Sequence, residues 1–268
     1  MTLAQIIILA LIQGFAELLP VSSSAHVIVA EKIMGLDPSA PEMTFLLVML
    51  HTGTMGAVLL YFWPRWRSRS PEIKPLVIAT VCTGVLGLLL KEIIEKGILH
   101  GRSHQDLEVL FSNLPLMAAS LAAAGLLIIL AGGREAGGAQ NVTPRQAAWI
   151  GALQGLCLPF RGFSRSGATI SAGLLNGISK ASAEEFSFAL AVILTPAVIV
   201  KEGHRLFKAT GTIHLGPGLL GMVFSFAAGL GALRWLSSWL EKGRWKYFGY
   251  YCLAAAAGVL LVRRALGS

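Results

Sequence analysis

Long apolar runs recur along the whole chain, and the charged residues fall mostly in the gaps between them. Six of these runs are long enough to cross a bilayer, because a membrane-spanning α-helix needs about 20 mainly apolar residues. The predicted spans cover residues 43–63, 75–91, 113–131, 186–201, 215–237 and 247–262. The pattern therefore predicts an all-α polytopic membrane protein.

Two further apolar regions, residues 1–41 and 146–180, are interrupted by proline, glycine and serine. Non-helical backbone at membrane depth is tolerated only where protein buries it or where it lines a cavity. A pair of helices that enters and leaves on the same side of the membrane fits such a region. We therefore predict six transmembrane helices and two re-entrant helix pairs in a single integral membrane domain, residues 1–268.

Composition supports a membrane protein and excludes several other classes. Only 13% of the residues are charged, against about 25% in a soluble domain. The net charge of +8 is spread over short loops without a basic stripe, so no nucleic-acid partner is predicted. Cys82, Cys157 and Cys252 lack the paired spacing of a zinc site or disulfide framework.

The loops after the first, third and fifth spans carry the densest positive charge, which the positive-inside rule assigns to the cytoplasm. Both termini then lie outside, the first broken region opens to the outer side, and the second opens to the cytoplasm. The residues concerned are Arg65, Arg67, Arg69, Lys74, Arg134, Arg145, Lys242, Arg244 and Lys246.

The two broken regions resemble each other, and they predict an inverted-topology repeat with halves 1–131 and 146–268. Three spans separate the two copies, so the second copy enters the membrane from the opposite face. Chance similarity in apolar, glycine-rich sequence is the alternative explanation. The matching features are Gln13-Gly14, Leu19-Pro20 and Ser22-Ser23-Ser24 in the first half, and Gln154-Gly155, Leu158-Pro159 and Ser164-Arg165-Ser166 in the second.

The first polar segment places an acid and an imidazole beside a helix break. Gln13 and Glu17 share one helix face because they are four residues apart, and Pro20 ends that helix. Capping alone would explain Ser22, Ser23 and Ser24. Ionisable groups in an apolar segment cost at least about 2.5 kcal/mol unless paired or hydrated. Glu17 and His26 therefore indicate function, with a snorkelling carboxylate and a hydrogen-bonded core imidazole as the alternatives.

The second polar segment has the composition of a phosphate-binding loop. Glycine lets the backbone approach a ligand closely, hydroxyl and N–H groups donate to phosphate oxygens, and a guanidinium binds phosphate through paired hydrogen bonds. Arg165 could instead be a topology determinant, which is also the favoured interpretation of Arg161. The residues that supply this chemistry are Gly162, Ser164, Arg165, Ser166 and Thr169.

The two segments together supply the parts of a phosphoryl-transfer centre, which needs a nucleophile or base and a clamp for the phosphate oxygens. His51 is a further ionisable residue within a span, and there we favour hydrogen bonds in helix packing over a role in the site.

The chain resembles the undecaprenyl-diphosphate phosphatases, the bacitracin-resistance family of bacterial inner-membrane enzymes. The resemblance covers essentially the whole length. The motifs that carry it are Gln13 with Glu17, the run Pro20-Val21-Ser22-Ser23 ending at His26, and Gly162-Phe163-Ser164-Arg165-Ser166-Gly167-Ala168-Thr169.

This resemblance implies hydrolysis of the lipid undecaprenyl diphosphate to undecaprenyl phosphate and inorganic phosphate on the outer, periplasmic face of the inner membrane. That reaction recycles the carrier lipid for peptidoglycan synthesis. By motif position, Glu17 is an acid/base or metal-associated carboxylate, His26 a nucleophile or base, and Ser23 their polar partner. The choice between His26 and an activated water as nucleophile stays open. Phosphate binding falls to Arg165 with Gln13, Ser22, Gly162, Ser164, Ser166 and Thr169.

The family's dependence on a divalent cation, Mg²⁺ or Ca²⁺, implies that Glu17 is a metal ligand. Two positions depart from the family pattern: Gln13 replaces one carboxylate, and Arg161 stands where proline usually precedes the glycine. A lipid-phosphate flippase or transporter is the main alternative function, since inverted repeats around an anion site also describe transporters. A non-catalytic membrane scaffold is a further alternative function. A homo-oligomer is compatible with the sequence.

Overall fold

The computed structural model describes residues 1–37, 40–68, 72–98, 113–133, 138–208 and 215–266. These residues form ten α-helices, a π-helical turn at Ile94–Ile98 and an isolated parallel bridge between Ala139 and Ile178. The helices are α1 (Leu3–Leu18), α2 (Ser23–Ile33), α3 (Pro41–Ser68), α4 (Ile73–Ile93), α5 (Leu114–Gly132), α6 (Pro144–Cys157), α7 (Arg165–Leu175), α8 (Lys180–Lys208), α9 (Leu215–Glu241) and α10 (Trp245–Leu266).

Of the ten helices in the described ranges, six are long and apolar enough to cross a membrane, which confirms the all-α membrane class and the six predicted spans. Each extends beyond at least one predicted end because a helix continues into its polar flanks, as α3 does through Arg65 and Arg67. Arg69 and Arg134, which the charge argument used, lie outside the described residues. The six segments are Pro41–Ser68, Ile73–Lys96, Leu114–Gly132, Lys180–Val200, Leu215–Glu241 and Trp245–Ala265.

The two interrupted regions each fold as a helix pair. We call α1 with α2 the first hairpin, and α6 with α7 the second hairpin. With 16 and 14 residues, α1 and α6 are roughly 24 and 21 Å long, short of the hydrocarbon core of about 30 Å. Re-entrance and the inverted repeat stay predictions, and these lengths fit them.

The first helix of each hairpin packs on a helix of the other half, α1 on α9 and α6 on α4. The glycines of the two Gln-Gly pairs allow the close approach. A Cβ on Gly14 would collide with the Ser225 backbone and the Ala228 side chain of α9. A Cβ on Gly155 would press on Leu86 and the Thr83 carbonyl of α4. Small residues let membrane helices approach closely, so the two hairpins interlock the halves.

The long helices α3 and α8 pack on each other, and α5 packs along α10. A buried polar cluster joins α3 and α8 to α9. Ser237 donates to Glu184 Oε1 at 2.5 Å, and the Tyr61 hydroxyl donates to Ser237 Oγ at 2.8 Å. Arg65 Nη1 lies 4.0 Å from Glu184 Oε2. These four residues, the Glu184 cluster, repeat the carboxylate–serine–arginine combination of the site described next.

Candidate active site

The carboxylate of Glu17, in the last turn of α1, gathers polar groups from both halves of the chain. Its Oε1 accepts a hydrogen bond from Arg165 Nη2 at 3.2 Å, across 148 positions of sequence. Its Oε2 accepts from Ser23 Oγ at 2.6 Å and from Gln13 Nε2 at 3.3 Å. The Gln13 contact follows from the four-residue spacing. The structure therefore brings together Gln13, Glu17, Ser23 and Arg165.

A strained turn at Ser22 orients the Ser23 hydroxyl towards the Glu17 carboxylate. Helix α1 ends before Pro20, and α2 begins at Ser23. Between them Ser22 has φ of +66°, the one positive φ of a non-glycine residue in the described ranges. Such a conformation costs on the order of 1–3 kcal/mol and persists only when its surroundings hold it. Ser22 Oγ donates to the Arg161 carbonyl at 2.8 Å, which ties the turn to the second hairpin.

The hydroxyls of the second hairpin are engaged with protein groups. Ser164 caps α7, its Oγ accepting from the Gly167 N–H at 3.2 Å. Ser166 Oγ donates to the Leu19 carbonyl at 3.2 Å, and Thr169 Oγ1 lies 2.6 Å from Ser187 Oγ. All three predicted phosphate ligands are buried. In this conformation they hold the two hairpins together, and phosphate binding by them stays a prediction.

The backbone of Gly162 packs closely against helix α5. A Cβ at this position would collide with the Met117 carbonyl oxygen and crowd the Leu121 N–H. Arg161, the residue before it, interacts electrostatically with the buried Glu31 of α2. The linker into α7 is therefore fixed by packing on one side and by charge on the other.

Arg165 has a guanidinium nitrogen that no protein group satisfies. Its Nη1 is buried and has no hydrogen-bond partner within the described part of the chain, while its Nη2 pairs with Glu17. Buried donors in native structures are nearly always paired. An unpaired guanidinium nitrogen beside a cleft is a binding point for an oxygen anion.

The cleft beside this pair is bounded by α1, α3, α7 and α8. Its polar groups are the carboxylate, the guanidinium and two threonines, and its other walls are apolar. A lipid phosphate has the same division between a charged head and an apolar chain. The lining residues are Glu17, Leu18, Thr54, Met55, Val58, Arg165, Ala191, Val192 and Thr195.

His26 faces a different set of partners from those of Glu17. Its Nδ1 lies 2.8 Å from the Ser22 carbonyl oxygen, and its Nε2 lies 2.7 Å from the Tyr251 hydroxyl of α10. His26, like Ser23, is absent from the cleft lining. No local sequence pattern selects Tyr251, which lies 225 positions from His26.

His51 makes the hydrogen bond in helix packing that is favoured for it from the sequence. Its Nδ1 lies 2.8 Å from the Leu47 carbonyl oxygen one turn earlier on α3, the expected packing hydrogen bond. It also lies within electrostatic range of the Glu17 carboxylate, as Arg165 does. His51 lies one helical turn before Thr54, which lines the cleft.

The cleft offers one protein carboxylate, that of Glu17, to a divalent cation. Glu17 is the one acidic residue lining the cleft, and the described residues contain no group of three His, Cys, Asp or Glu side chains placed to hold a metal ion. A closed protein cage for a cation is therefore not formed by this part of the chain. Mg²⁺ commonly binds through one or two carboxylates plus substrate phosphates, and Glu17 fits that arrangement.

Comparison with known proteins identifies relatives along nearly the whole chain. A family model described as bacitracin resistance protein BacA matches residues 6–258. The chain is 59% identical to undecaprenyl-diphosphatase 2 of Acinetobacter baylyi over 97% of this chain and 98% of that protein. It is 34% identical to an undecaprenyl-diphosphatase of Desulfosudis oleivorans, with 92% and 93% covered. A Rhodopirellula baltica undecaprenyl-diphosphatase is 32% identical, with 97% and 98% covered.

Proposed function

The chain belongs to the bacitracin resistance protein BacA family, and from this premise we propose that it hydrolyses undecaprenyl diphosphate to undecaprenyl phosphate and inorganic phosphate. It is a multi-pass membrane phosphatase. Its product returns the carrier lipid to peptidoglycan synthesis, and its activity confers resistance to bacitracin.

The unpaired Nη1 of Arg165 is the observation that carries this function at the level of the site. It lies beside an acid–hydroxyl pair, Glu17 with Ser23, at the edge of an apolar-walled cleft. Phosphoryl transfer needs little more from a protein than positioning and charge stabilisation. The site combines an anion clamp, a base and a hydroxyl, and the adjoining cleft has apolar walls that suit a prenyl chain.

The contact between Ser23 and Glu17 supports Ser23 as the attacking group. Ser23 Oγ, whose proton already points at Glu17 Oε2, attacks the terminal phosphorus, and the proton passes to Glu17. The bond from phosphorus to the bridging oxygen breaks, and undecaprenyl phosphate leaves with that electron pair. Arg165 binds the oxygens of the transferring group and stabilises their charge. Water then hydrolyses the phosphoserine, releasing inorganic phosphate and restoring the Ser23 hydroxyl.

Two helix N-termini support binding of the diphosphate at this point. Ser23 is the first residue of α2 and Arg165 is the first residue of α7. Both side chains contact the Glu17 carboxylate, so the two helix ends lie close together. Free N–H groups and the helix dipole make a helix N-terminus favourable for an anion.

We further propose that Mg²⁺ or Ca²⁺ binds together with the substrate. Glu17 would be its protein ligand and the diphosphate would supply further oxygens, so the cation would neutralise leaving-group charge. On arrival of the diphosphate, Arg165 would exchange its bond to Glu17 for bonds to the substrate.

The orientation of the site is also a proposal. The positive-inside rule places the basic helix ends at Arg65 and Arg67, and at Lys242, on the cytoplasmic side. The first hairpin, which carries Glu17, would then open to the periplasmic side of the bacterial inner membrane.

A phosphate-release assay on the purified protein in detergent tests the function. Prenyl diphosphates of several chain lengths would be supplied with Mg²⁺, with Ca²⁺ and with a chelator, and the corresponding monophosphates would serve as controls. We expect release from the diphosphates in the presence of a divalent cation. No release under any of these conditions would overturn the enzyme assignment, and cation-driven movement of labelled lipid across vesicles without hydrolysis would favour a flippase.

Replacing Gln13 with glutamate should strengthen cation binding. The new carboxylate would lie beside Glu17, where Gln13 Nε2 now donates, and two carboxylates bind a divalent cation better than one. We expect the cation concentration for half-maximal phosphate release to fall by about tenfold, measured by cation titration. Gln13→Ala removes the amide without adding charge and should leave this concentration unchanged. Equal half-maximal concentrations for Gln13→Glu and wild type would contradict Glu17 as a metal ligand.

A further inference from the structure

Helix α10 contacts the turn of the first hairpin through two consecutive residues. The Tyr251 hydroxyl lies 2.7 Å from His26 Nε2, and the two rings stack with centroids 5.7 Å apart at an interplanar angle of 12°. Cys252 Sγ donates to the Pro20 carbonyl at 3.3 Å. The last helix of the second half therefore contacts both sides of the turn that leads to Ser23.

These contacts determine the tautomer of His26. The Ser22 carbonyl oxygen 2.8 Å from Nδ1 can only accept a hydrogen bond, so Nδ1 carries the proton. The neutral ring then has its lone pair on Nε2, to which the Tyr251 hydroxyl donates. With both nitrogens engaged, the imidazole is fixed in one orientation and its basic nitrogen faces α10.

The fixed imidazole supports a backbone conformation that the site needs. Ser22 holds the left-handed φ of +66° and precedes Ser23, whose hydroxyl donates to Glu17 at 2.6 Å. The His26 Nδ1–H bond to the Ser22 carbonyl helps to hold that conformation against its strain. A chain of contacts thus runs from Tyr251 through His26 and the Ser22 turn to Ser23.

We propose that Tyr251 is a positioning residue of the phosphatase reaction, which acts through His26 to hold the Ser22 turn and thereby the Ser23 hydroxyl. The proposal rests on the proposed function, because it concerns the same Glu17–Ser23 pair. His26 in this arrangement acts through its contacts with Ser22 and Tyr251. No part of the proposal requires the imidazole to touch the substrate.

The chain offers a matched control for the test. Tyr250 neighbours Tyr251 on α10 and is equally exposed, 49% against 48%. Tyr251→Phe and Tyr250→Phe each remove one hydroxyl from the same part of the helix. We expect Tyr251→Phe to lower kcat about tenfold with KM within about twofold. The variant loses the hydrogen bond to His26, the first contact in the chain that positions the Ser23 hydroxyl. Tyr250→Phe should keep the wild-type kcat.

A double-mutant cycle separates action through His26 from a general loss of structure. Added to His26→Ala, Tyr251→Phe should lower kcat by less than about twofold, because contacting residues that act as one unit are not additive. A full tenfold loss in that background would overturn the proposal, as would equal kcat values for Tyr251→Phe and Tyr250→Phe. Melting temperatures should agree for the two phenylalanine variants.

A spectroscopic measurement keeps this test independent of the enzyme assignment. In protein with ¹⁵N-labelled histidine, the His26 Nε2 resonance should move in Tyr251→Phe and stay in place in Tyr250→Phe, whether or not a substrate is turned over. An unmoved resonance in Tyr251→Phe would overturn the contact itself. A wild-type protein that shows the shift and releases no phosphate would instead overturn the proposed function.

Discussion

Replacing Arg165 with alanine is expected to lower kcat/KM for phosphate release by at least about 10³-fold, the scale on which a single arginine stabilises phosphoryl transfer. The variant loses both the unpaired Nη1 and the Nη2 bond to Glu17. Purified protein in detergent, assayed with a prenyl diphosphate and a divalent cation, provides the measurement. Size-exclusion profiles would establish that the variant remains folded.

Lysine at the same position separates charge from geometry. Arg165→Lys keeps the positive charge and loses the planar fork that binds two phosphate oxygens at once. We expect a loss intermediate between wild type and Arg165→Ala. Arg65→Ala is the matched control, because Arg65 also approaches a buried glutamate but lies roughly 16 Å along α3 from Thr54 of the cleft. If Arg165→Ala released phosphate at nearly the wild-type rate, the assignment of Arg165 to the active site would be wrong.

The architecture explains how a site with few polar groups forms between apolar helices. Each hairpin breaks its helices where the chain turns, and each break leaves a helix N-terminus and a serine. The Ser22 hydroxyl bonds the Arg161 carbonyl, and the Ser166 hydroxyl bonds the Leu19 carbonyl. These reciprocal bonds satisfy a backbone carbonyl at the turn of each hairpin. They also bring the charged pair Glu17 and Arg165 into contact.

Much of this could be predicted from the sequence, because the relevant forces act locally or over whole helices. Hydropathy predicts the six spans, since the bilayer requires long apolar helices. The four-residue spacing predicts the Gln13–Glu17 contact. The two broken segments, one in each half, predict that Glu17 and Arg165 come together, although the inverted repeat itself stays a prediction. An unpaired charge in an apolar segment is costly, so the Glu17 carboxylate and the Arg165 guanidinium stabilise each other.

The details that escaped prediction depend on contacts between distant segments. The composition of the second hairpin suggests a ring of hydroxyls around a phosphate, yet Ser164, Ser166 and Thr169 are buried and bonded to protein. Hydroxyls serve as helix caps and as phosphate ligands with equal ease. Only the packing of the two hairpins decides which partner each one meets. The direction of the His26 ring likewise depends on Tyr251, which no local pattern connects to it.

Replacing Glu17 with glutamine is expected to lower kcat by about 10²–10⁴-fold, the range for loss of a general base. Glutamine preserves size and can still accept the Ser23 hydrogen bond, but it cannot take up the proton as phosphorus is attacked. Because the side chain is isosteric, KM should change far less than kcat when the divalent cation is saturating. Steady-state phosphate release by the purified variant measures both values.

The Glu184 cluster supplies the control for this change. Like Glu17, Glu184 accepts a serine hydrogen bond and lies near an arginine, but it does not line the cleft. Glu184→Gln should therefore retain kcat even if it lowers the melting temperature. If both glutamine variants lost activity equally, burial of a carboxylate rather than catalysis would explain the effect of Glu17.

Acid-quenched single turnovers decide what Glu17 activates. If Ser23 attacks, wild-type protein mixed with labelled diphosphate passes through a phosphoserine, and Ser23→Ala abolishes that label together with turnover. If water attacks, no covalent label forms and Ser23→Ala retains partial activity, because Glu17 still accepts a proton. The 2.6 Å contact between Ser23 Oγ and Glu17 Oε2 favours the first outcome. In both cases Glu17 is the base, so the loss in Glu17→Gln should exceed the loss in Gln13→Ala, which keeps the carboxylate.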